Sequence, residues 1–138
     1  MGDAERAEEE SEGRGGRFWK NAPGPFYTNG TCLACEAPET EAPDLLAPLT
    51  GDNSDTYFVR QPETPEEVER ACRALEVCCV VALRYGGTDP EIIRRLGNDP
   101  EYCDHLLPGG PVPRPDWLAA ERAAAAKARR RWWQFWRR

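Results

Sequence analysis

The sequence has few of the features that mark enzymes and membrane proteins. It contains a single His and a single Met among 138 residues. No stretch approaches the roughly 18 uninterrupted apolar residues of a membrane-spanning helix, and the first 20 residues have no apolar core that would serve as a signal peptide. The motifs of nucleotide binding and of the common hydrolases are missing. We therefore expect a cytoplasmic protein that is not an enzyme.

Charge is distributed unevenly along the chain. The net charge is −6, yet residues 21–110 hold six basic against sixteen acidic residues, whereas residues 111–138 hold eight basic against two acidic. An acidic domain repels phosphate backbones, so we expect it to bind no nucleic acid. It suits docking onto a partner with a basic surface, because complementary charge steers encounter.

Composition divides the chain into four segments. Residues 1–20 are rich in Glu and Gly and predict a disordered acidic N-terminus. Residues 21–107 contain all six Cys, the His and nearly all of the aliphatic periodicity, which predicts one small domain. Residues 108–116 hold four Pro and two Gly and predict a linker. Residues 117–138 consist largely of strong helix formers and predict a basic C-terminal helix rich in Trp and Arg.

Strands and capped helices alternate within residues 21–107. Three runs predict strands, namely residues 25–28, 56–60 and 80–85. Thr64 with Glu67 forms a capping box ahead of one apolar helical face, and Thr88 with Glu91 forms a second, ahead of a short helix that Gly97 ends. This order of elements predicts an α+β fold.

Cys32 and Cys35 form a C-x-x-C pair in the loop that follows the first predicted strand. This spacing lets two thiolates converge on one metal ion or cluster edge. Cytoplasmic Cys residues are metal ligands or buried thiols more often than disulfides. Cys72 and Cys79 lie on the apolar face of the first capped helix, which predicts that they pack in the core.

Two stretches resemble single-cluster bacterial ferredoxins. The first runs from Cys32 to Pro43, CLACEAPETEAP, and resembles the run C-x₂-C-x₂-C-x₃-C-P. The second, residues 72–83, CRALEVCCVVAL, is similar to the part of those proteins where a helix delivers the last Cys. With residues 24–27 as a first strand, the resemblance spans roughly residues 22–85. It implies a small ferredoxin-like domain, a [4Fe–4S] cluster and electron transfer to a redox partner protein with a basic surface.

The resemblance also assigns ligands by position. It places cluster ligands at Cys32, Cys35 and Cys78. The third position of the run is Pro38, which cannot ligate iron, and the position that binds a second cluster in two-cluster members is Ala42. Because Cys72 is predicted to pack in the core, the candidates for a fourth ligand are Cys79, Cys103 and His105.

Three functions therefore stay open. The first is electron transfer by an iron–sulfur cluster whose type the sequence leaves undecided. The second is a zinc site built from Cys32, Cys35 and two of Cys78, Cys79, Cys103 and His105, because Zn²⁺ favours Cys₄ or Cys₃His ligand sets. The third is a metal-free interaction module on the same fold.

The last residues mix aromatic and basic side chains. Trp132, Trp133, Phe135 and Trp136 stand among Arg residues, a composition typical of segments that lie in a membrane interface or grip anionic surfaces. The aromatic residues do not keep to one face of the predicted helix. We therefore expect a frayed helix, or one whose aromatic residues dock on the acidic domain, with weak membrane-surface contact and nucleic-acid binding as the alternatives.

Overall fold

The structure is a computed structural model that describes residues 16–30, 36–78 and 80–137. These residues form four α-helices and two short β-strands. In chain order they are β1 (Phe26–Thr28), α1 (Ala37–Glu41), α2 (Pro65–Val77), β2 (Leu83–Tyr85), α3 (Pro90–Arg95) and α4 (Trp117–Trp136). The prediction of a mixed α+β fold is confirmed.

β1 and β2 pair in an antiparallel sheet. β1 lies within the predicted run 25–28, but β2 is shorter than the predicted run 80–85. The reason is a turn between α2 and β2, in which the N–H of Val81 lies 3.4 Å from the carbonyl oxygen of Cys78. Val81 has a φ of +52°, which is rare for a β-branched residue. The turn therefore uses residues whose side-chain pattern indicates a strand.

The predicted strand over residues 56–60 is wrong. Phe58 forms an isolated antiparallel bridge with Leu46. Two backbone hydrogen bonds flank this bridge, from Ala47 to Tyr57 at 3.0 Å and from Val59 to Leu45 at 2.8 Å. Towards β1 the contacts are made by a side chain instead, because Gln61 both accepts from and donates to the Phe26 backbone, at 3.0 and 2.8 Å. The pairing is therefore limited to one bridge, which β-propensity does not reveal.

α2 begins at the predicted capping residue. The Thr64 hydroxyl accepts the N–H of Glu67 at 3.1 Å, and Pro65 is the first helical residue. The Glu67 carboxylate pairs with Arg60, outside the helix. The buried face of α2 then packs against α1 and β2.

α3 begins at a different cap from the predicted one. Asp89, and not Thr88, caps the helix, and its carboxylate accepts the N–H of Glu91 at 2.9 Å. An N-cap stands immediately before the first helical residue, and Pro90 holds that position. The helix ends as predicted before Gly97, whose φ is +81°.

The core lies between the sheet, α2 and α3. Phe26 sits at its centre, with ring centroids 4.9 Å from Tyr85 and 6.0 Å from Phe58. The largest fully buried apolar side chains of this core are Phe26, Phe58, Leu45, Leu46, Leu75, Leu83, Ile93 and Leu96. Each such side chain contributes about 1.5–3 kcal/mol when it leaves water.

Both predicted boundaries of the domain fall inside packed segments. Residues 1–15 of the predicted disordered N-terminus lie outside the described residues, but the N–H of Phe18 donates to the Thr28 carbonyl at 2.8 Å. At the other end, Asn98 donates to the Gly110 carbonyl at 2.8 Å, and Val112 donates to Gly97 at 2.9 Å. The predicted linker is therefore held against the domain over residues 110–112.

Candidate functional site

The resemblance places ligands at three cysteines, and the structure describes one of them, Cys78. It is the C-cap of α2, and its side chain is 7% exposed within the core. Its Sγ accepts the N–H of Ala82 at 3.2 Å. In iron–sulfur proteins, hydrogen bonds to the sulfurs help to set the reduction potential of the cluster. Cys32, Cys35 and Cys79 lie outside the described residues.

The third ligand position of the resemblance belongs to the apolar core. Pro38 is in α1, and its ring is fully buried. Ala42, at the position of a second-cluster Cys, is also fully buried. Position 38 therefore offers a packed ring where a thiolate is needed. The four-cysteine ligand set of a [4Fe–4S] cluster does not fit the residues at these positions, which supply three thiols at most.

Cys103 and His105 face different surroundings, although one residue separates them. Cys103 is buried, bridges Tyr85, and donates its N–H to the Asp99 carbonyl at 2.9 Å. His105 is exposed to solvent. Among the described residues no group of three or more His, Cys, Asp or Glu side chains could hold a metal ion. The two predicted ligands thus do not form a common site in the described part of the chain.

A cavity of about 640 Å³ borders Cys103. Asn29 and Val81 line it, and these residues stand next to the C-x-x-C segment and the Cys78–Cys79 pair in the chain. Of the fourth-ligand candidates that the structure describes, Cys103 lines this cavity, whereas His105 does not.

Other residues that line this cavity are polar. The Tyr27 hydroxyl donates to the Asp104 carboxylate at 2.5 Å, and Arg84 Nε donates to the same carboxylate at 2.8 Å. Burial and the Asp104 hydrogen bond raise the pKa of Tyr27, so its hydroxyl stays protonated at neutral pH. Each of these polar groups has a hydrogen-bond partner within the protein. This part of the cavity lining therefore has a structural role.

Cys72 is a core residue, as predicted. Its side chain is fully buried in α2. Burial raises the pKa of this thiol to about 12 from an ordinary value of 9.0. A thiol that stays protonated is a poor metal ligand and a poor nucleophile. Cys72 therefore contributes packing and no chemistry.

α4 is anchored to the domain at its first turn. The Glu76 carboxylate, which is 7% exposed, accepts the indole N–H of Trp117 at 3.0 Å and pairs with Arg95 and Arg114 at 2.9 and 2.8 Å. Arg73 lies over the Trp117 ring, 4.8 Å from its centroid. The sequence analysis missed this network. The available signal was an acidic residue four positions after Cys72, at the border of the apolar face of α2.

The rest of α4 extends away from the domain. Residues 119–137 are exposed, and every described side-chain hydrogen bond or ion pair between α4 and the domain involves Trp117 or Glu121. The exposed fractions at the far end are 57% for Trp132, 60% for Trp133, 76% for Phe135 and 68% for Trp136. The expectation that these aromatic residues fray or dock on the domain is wrong. Within the described ranges, none of the helices combines the length and apolarity that crossing a bilayer requires.

The aromatic residues of α4 also share one face, contrary to prediction. At about 100° per residue, the four side chains fall within an arc of about 160°. The Trp132 ring contacts those of Trp133 and Trp136, with centroids 6.3 and 5.6 Å apart. The facing arc carries polar side chains, namely Lys127, Arg130, Arg131, Gln134 and Arg137. The Ala-rich first half of the helix has no such separation, so the amphipathic character averaged over the whole helix is weak.

Comparisons with protein-family models, with curated proteins and with solved structures found no match.

Proposed function

We propose that the chain is a ferredoxin-like domain that works as a metal-independent interaction module, with α4 as its binding element. One observation carries this proposal: the far end of α4 leaves four large aromatic side chains more than half exposed. Exposed apolar patches of this size mark interaction sites in folded proteins.

The order of the elements supports the ferredoxin-like part of the proposal. β1 precedes the C-x-x-C pair, α1 carries the third position of the run, and α2 ends at Cys78 just before β2. β2 then returns antiparallel to β1. This is the order in which the two resembling stretches occur along the sequence.

The composition of the core supports independence from metal. Pro38 fills the ligand position of the resemblance that lacks a Cys, Ala42 is also buried, and α1 packs directly against α2. A single-cluster domain uses the position of Pro38 for an iron ligand. In this chain Pro38 and Ala42 are buried apolar residues, which supports a domain that is stable without a cofactor.

Electron transfer is the alternative, and one observation favours it. The Cys32–Cys35 pair is intact, and Cys78 stands at its family position with a hydrogen bond to its sulfur. A zinc ion could use the same thiols together with Cys79 or Cys103.

Anaerobic purification of the full chain, followed by metal and acid-labile sulfide analysis, tests the proposal. We expect neither iron with sulfide nor zinc in stoichiometric amounts. Iron with equimolar sulfide, and visible absorption that bleaches on reduction, would establish the electron-transfer alternative. Stoichiometric zinc that is lost in Cys35→Ser but kept in Cys72→Ala would establish the zinc alternative.

A further inference from the structure

The far half of α4 has the chemistry of a surface that binds anionic lipid. From residue 122 onward the sequence contains no acidic residue and seven basic ones. Three of the four exposed aromatic residues are Trp, the side chain that favours the headgroup region of a bilayer. Aromatic side chains on one face and cations on the other are typical of helices that enter a membrane interface.

The arrangement of these side chains favours lipid over nucleic acid. A protein that binds single-stranded nucleic acid has aromatic rings on which the bases stack, and its cations lie beside them. In α4 most of the basic side chains lie on the arc that faces away from the aromatic residues. The exceptions are Arg122 and Arg129, which fall within the aromatic arc. Arg129 is close to the aromatic residues along the helix, and its long side chain can extend its charge toward headgroups.

The position of the domain sets how α4 meets a surface. Trp117 and Glu121, which contact the domain, lie on the same side of the helix as the aromatic residues. If α4 lay flat with its aromatic side on a membrane surface, the domain would collide with that surface. The far turns must therefore approach obliquely.

The Ala-rich half of α4 then acts as a spacer. Fifteen residues separate Trp117 from Trp132, which is about 22 Å of helix. The Debye length at physiological salt is about 8 Å, so a domain at this distance is largely screened from the surface. Residues 21–110 hold sixteen acidic against six basic residues, and the spacer keeps that charge from repelling an anionic membrane.

We propose that the far turns of α4, residues 127–137, bind the surface of an anionic lipid bilayer, entering obliquely through Trp132, Trp133, Phe135 and Trp136, while α4 holds the acidic domain away from the lipid. This inference rests on the proposed function and names its partner.

Vesicle binding by the full chain tests the inference. The probes are vesicles of phosphatidylcholine alone and of phosphatidylcholine with phosphatidylglycerol, in sedimentation and in Trp fluorescence. We expect binding to the mixed vesicles, a blue shift of the emission, and at least 10-fold weaker binding to phosphatidylcholine alone. Replacing Arg129, Arg130 and Arg131 together by Gln should weaken binding roughly 100-fold.

Two matched variants separate the aromatic face from other exposed aromatic residues. The triple variant Trp132→Ser, Trp133→Ser, Trp136→Ser should abolish binding, whereas Trp19→Ser, which removes the half-exposed Trp of the domain, should leave it unchanged. Equal binding of the triple variant and the unmodified chain would overturn the inference. Failure of the unmodified chain to bind the mixed vesicles would overturn it as well.

The remaining outcomes separate this inference from the proposed function. The chain could fail to bind lipid but self-associate or bind an oligonucleotide, with the triple variant losing that binding. This outcome would support the interaction module and would show that the lipid partner is wrong. If the chain ignores lipid and the triple variant has a lower unfolding temperature, the aromatic residues serve the fold, and both proposals are wrong.

Discussion

The domain and the far half of α4 use aromatic residues in opposite ways. Phe26 and Phe58 are fully buried and meet at the centre of the core. Trp133 and Phe135 are 60% and 76% exposed. Large aromatic side chains contribute most to a fold when they leave water. Those of the domain therefore stabilise the fold, whereas those of α4 remain available to a partner.

The largest expected effect comes from emptying the centre of the core. Phe58→Ala should lower the free energy of unfolding by about 3–5 kcal/mol, because it removes a buried ring and leaves a cavity. Phe135→Ala, the matched change in α4, should alter it by less than about 0.5 kcal/mol. Denaturant unfolding of both variants measures the difference. Similar losses in the two variants would mean that α4 is part of the core.

The next effect concerns the junction between the two regions. Glu76→Ala should lower the free energy of unfolding by about 2 kcal/mol, because it leaves the Trp117 indole N–H without its acceptor and removes the ion pairs with Arg95 and Arg114. Glu121→Ala removes an exposed pairing with Arg73 and should cost about 0.3 kcal/mol. Hydrogen exchange should show faster exchange at the start of α4 in Glu76→Ala alone. An unchanged exchange rate there would contradict the anchoring role of Glu76.

The helix caps offer a smaller test within the domain. Asp89→Ala should cost about 1 kcal/mol, because the Asp89 carboxylate accepts the N–H of Glu91. Thr88→Ala should cost almost nothing. Thermal unfolding compares the stability of the two variants. A larger loss of stability in Thr88→Ala would mean that Thr88 is the cap, as the sequence predicts.

The pH dependence of stability supplies the smallest effect. Burial raises the pKa of Cys72 to about 12, whereas the unfolded thiol has an ordinary pKa near 9.0. Below pH 9 both states keep the proton. Above it the unfolded state ionises first, so stability from this group falls as pH rises toward 12. The loss of unfolding free energy between pH 8 and pH 10, in reductant, should be smaller in Cys72→Ala. An equal loss of unfolding free energy in both proteins would mean that a group other than Cys72 causes the pH dependence.

The sequence predicted the features that depend on local patterns. Thr64 as a cap, the apolar face of α2 and the stop at Gly97 follow from residues close together in the chain. The reduction of the strand at residues 56–60 to a single bridge could not be predicted, because its pairing with Leu46 and the Gln61 hydrogen bonds to Phe26 depend on tertiary contacts. The exposure of the α4 aromatic residues depends on where the helix points, which composition does not encode.

The candidate ligands divide in the same way. The position of Cys72 on an apolar helical face predicted its burial correctly. The separation of Cys103 from His105 depends on the bridge of Cys103 to Tyr85, a contact between distant segments. Pro38 signalled a lost ligand from the sequence, but its packing against the core emerges from the position of α1 against α2.

We propose that α4 is the binding element of a domain that folds on its apolar core without metal. Denaturant unfolding of the double variant Cys32→Ser, Cys35→Ser, beside the unmodified chain with and without a chelator, tests this folding most directly. We expect cooperative unfolding in all three samples, with free energies that agree within about 0.5 kcal/mol. Loss of cooperative unfolding in the double variant, or in the chelator, would contradict it, because metal-dependent domains of this size unfold when the metal is removed.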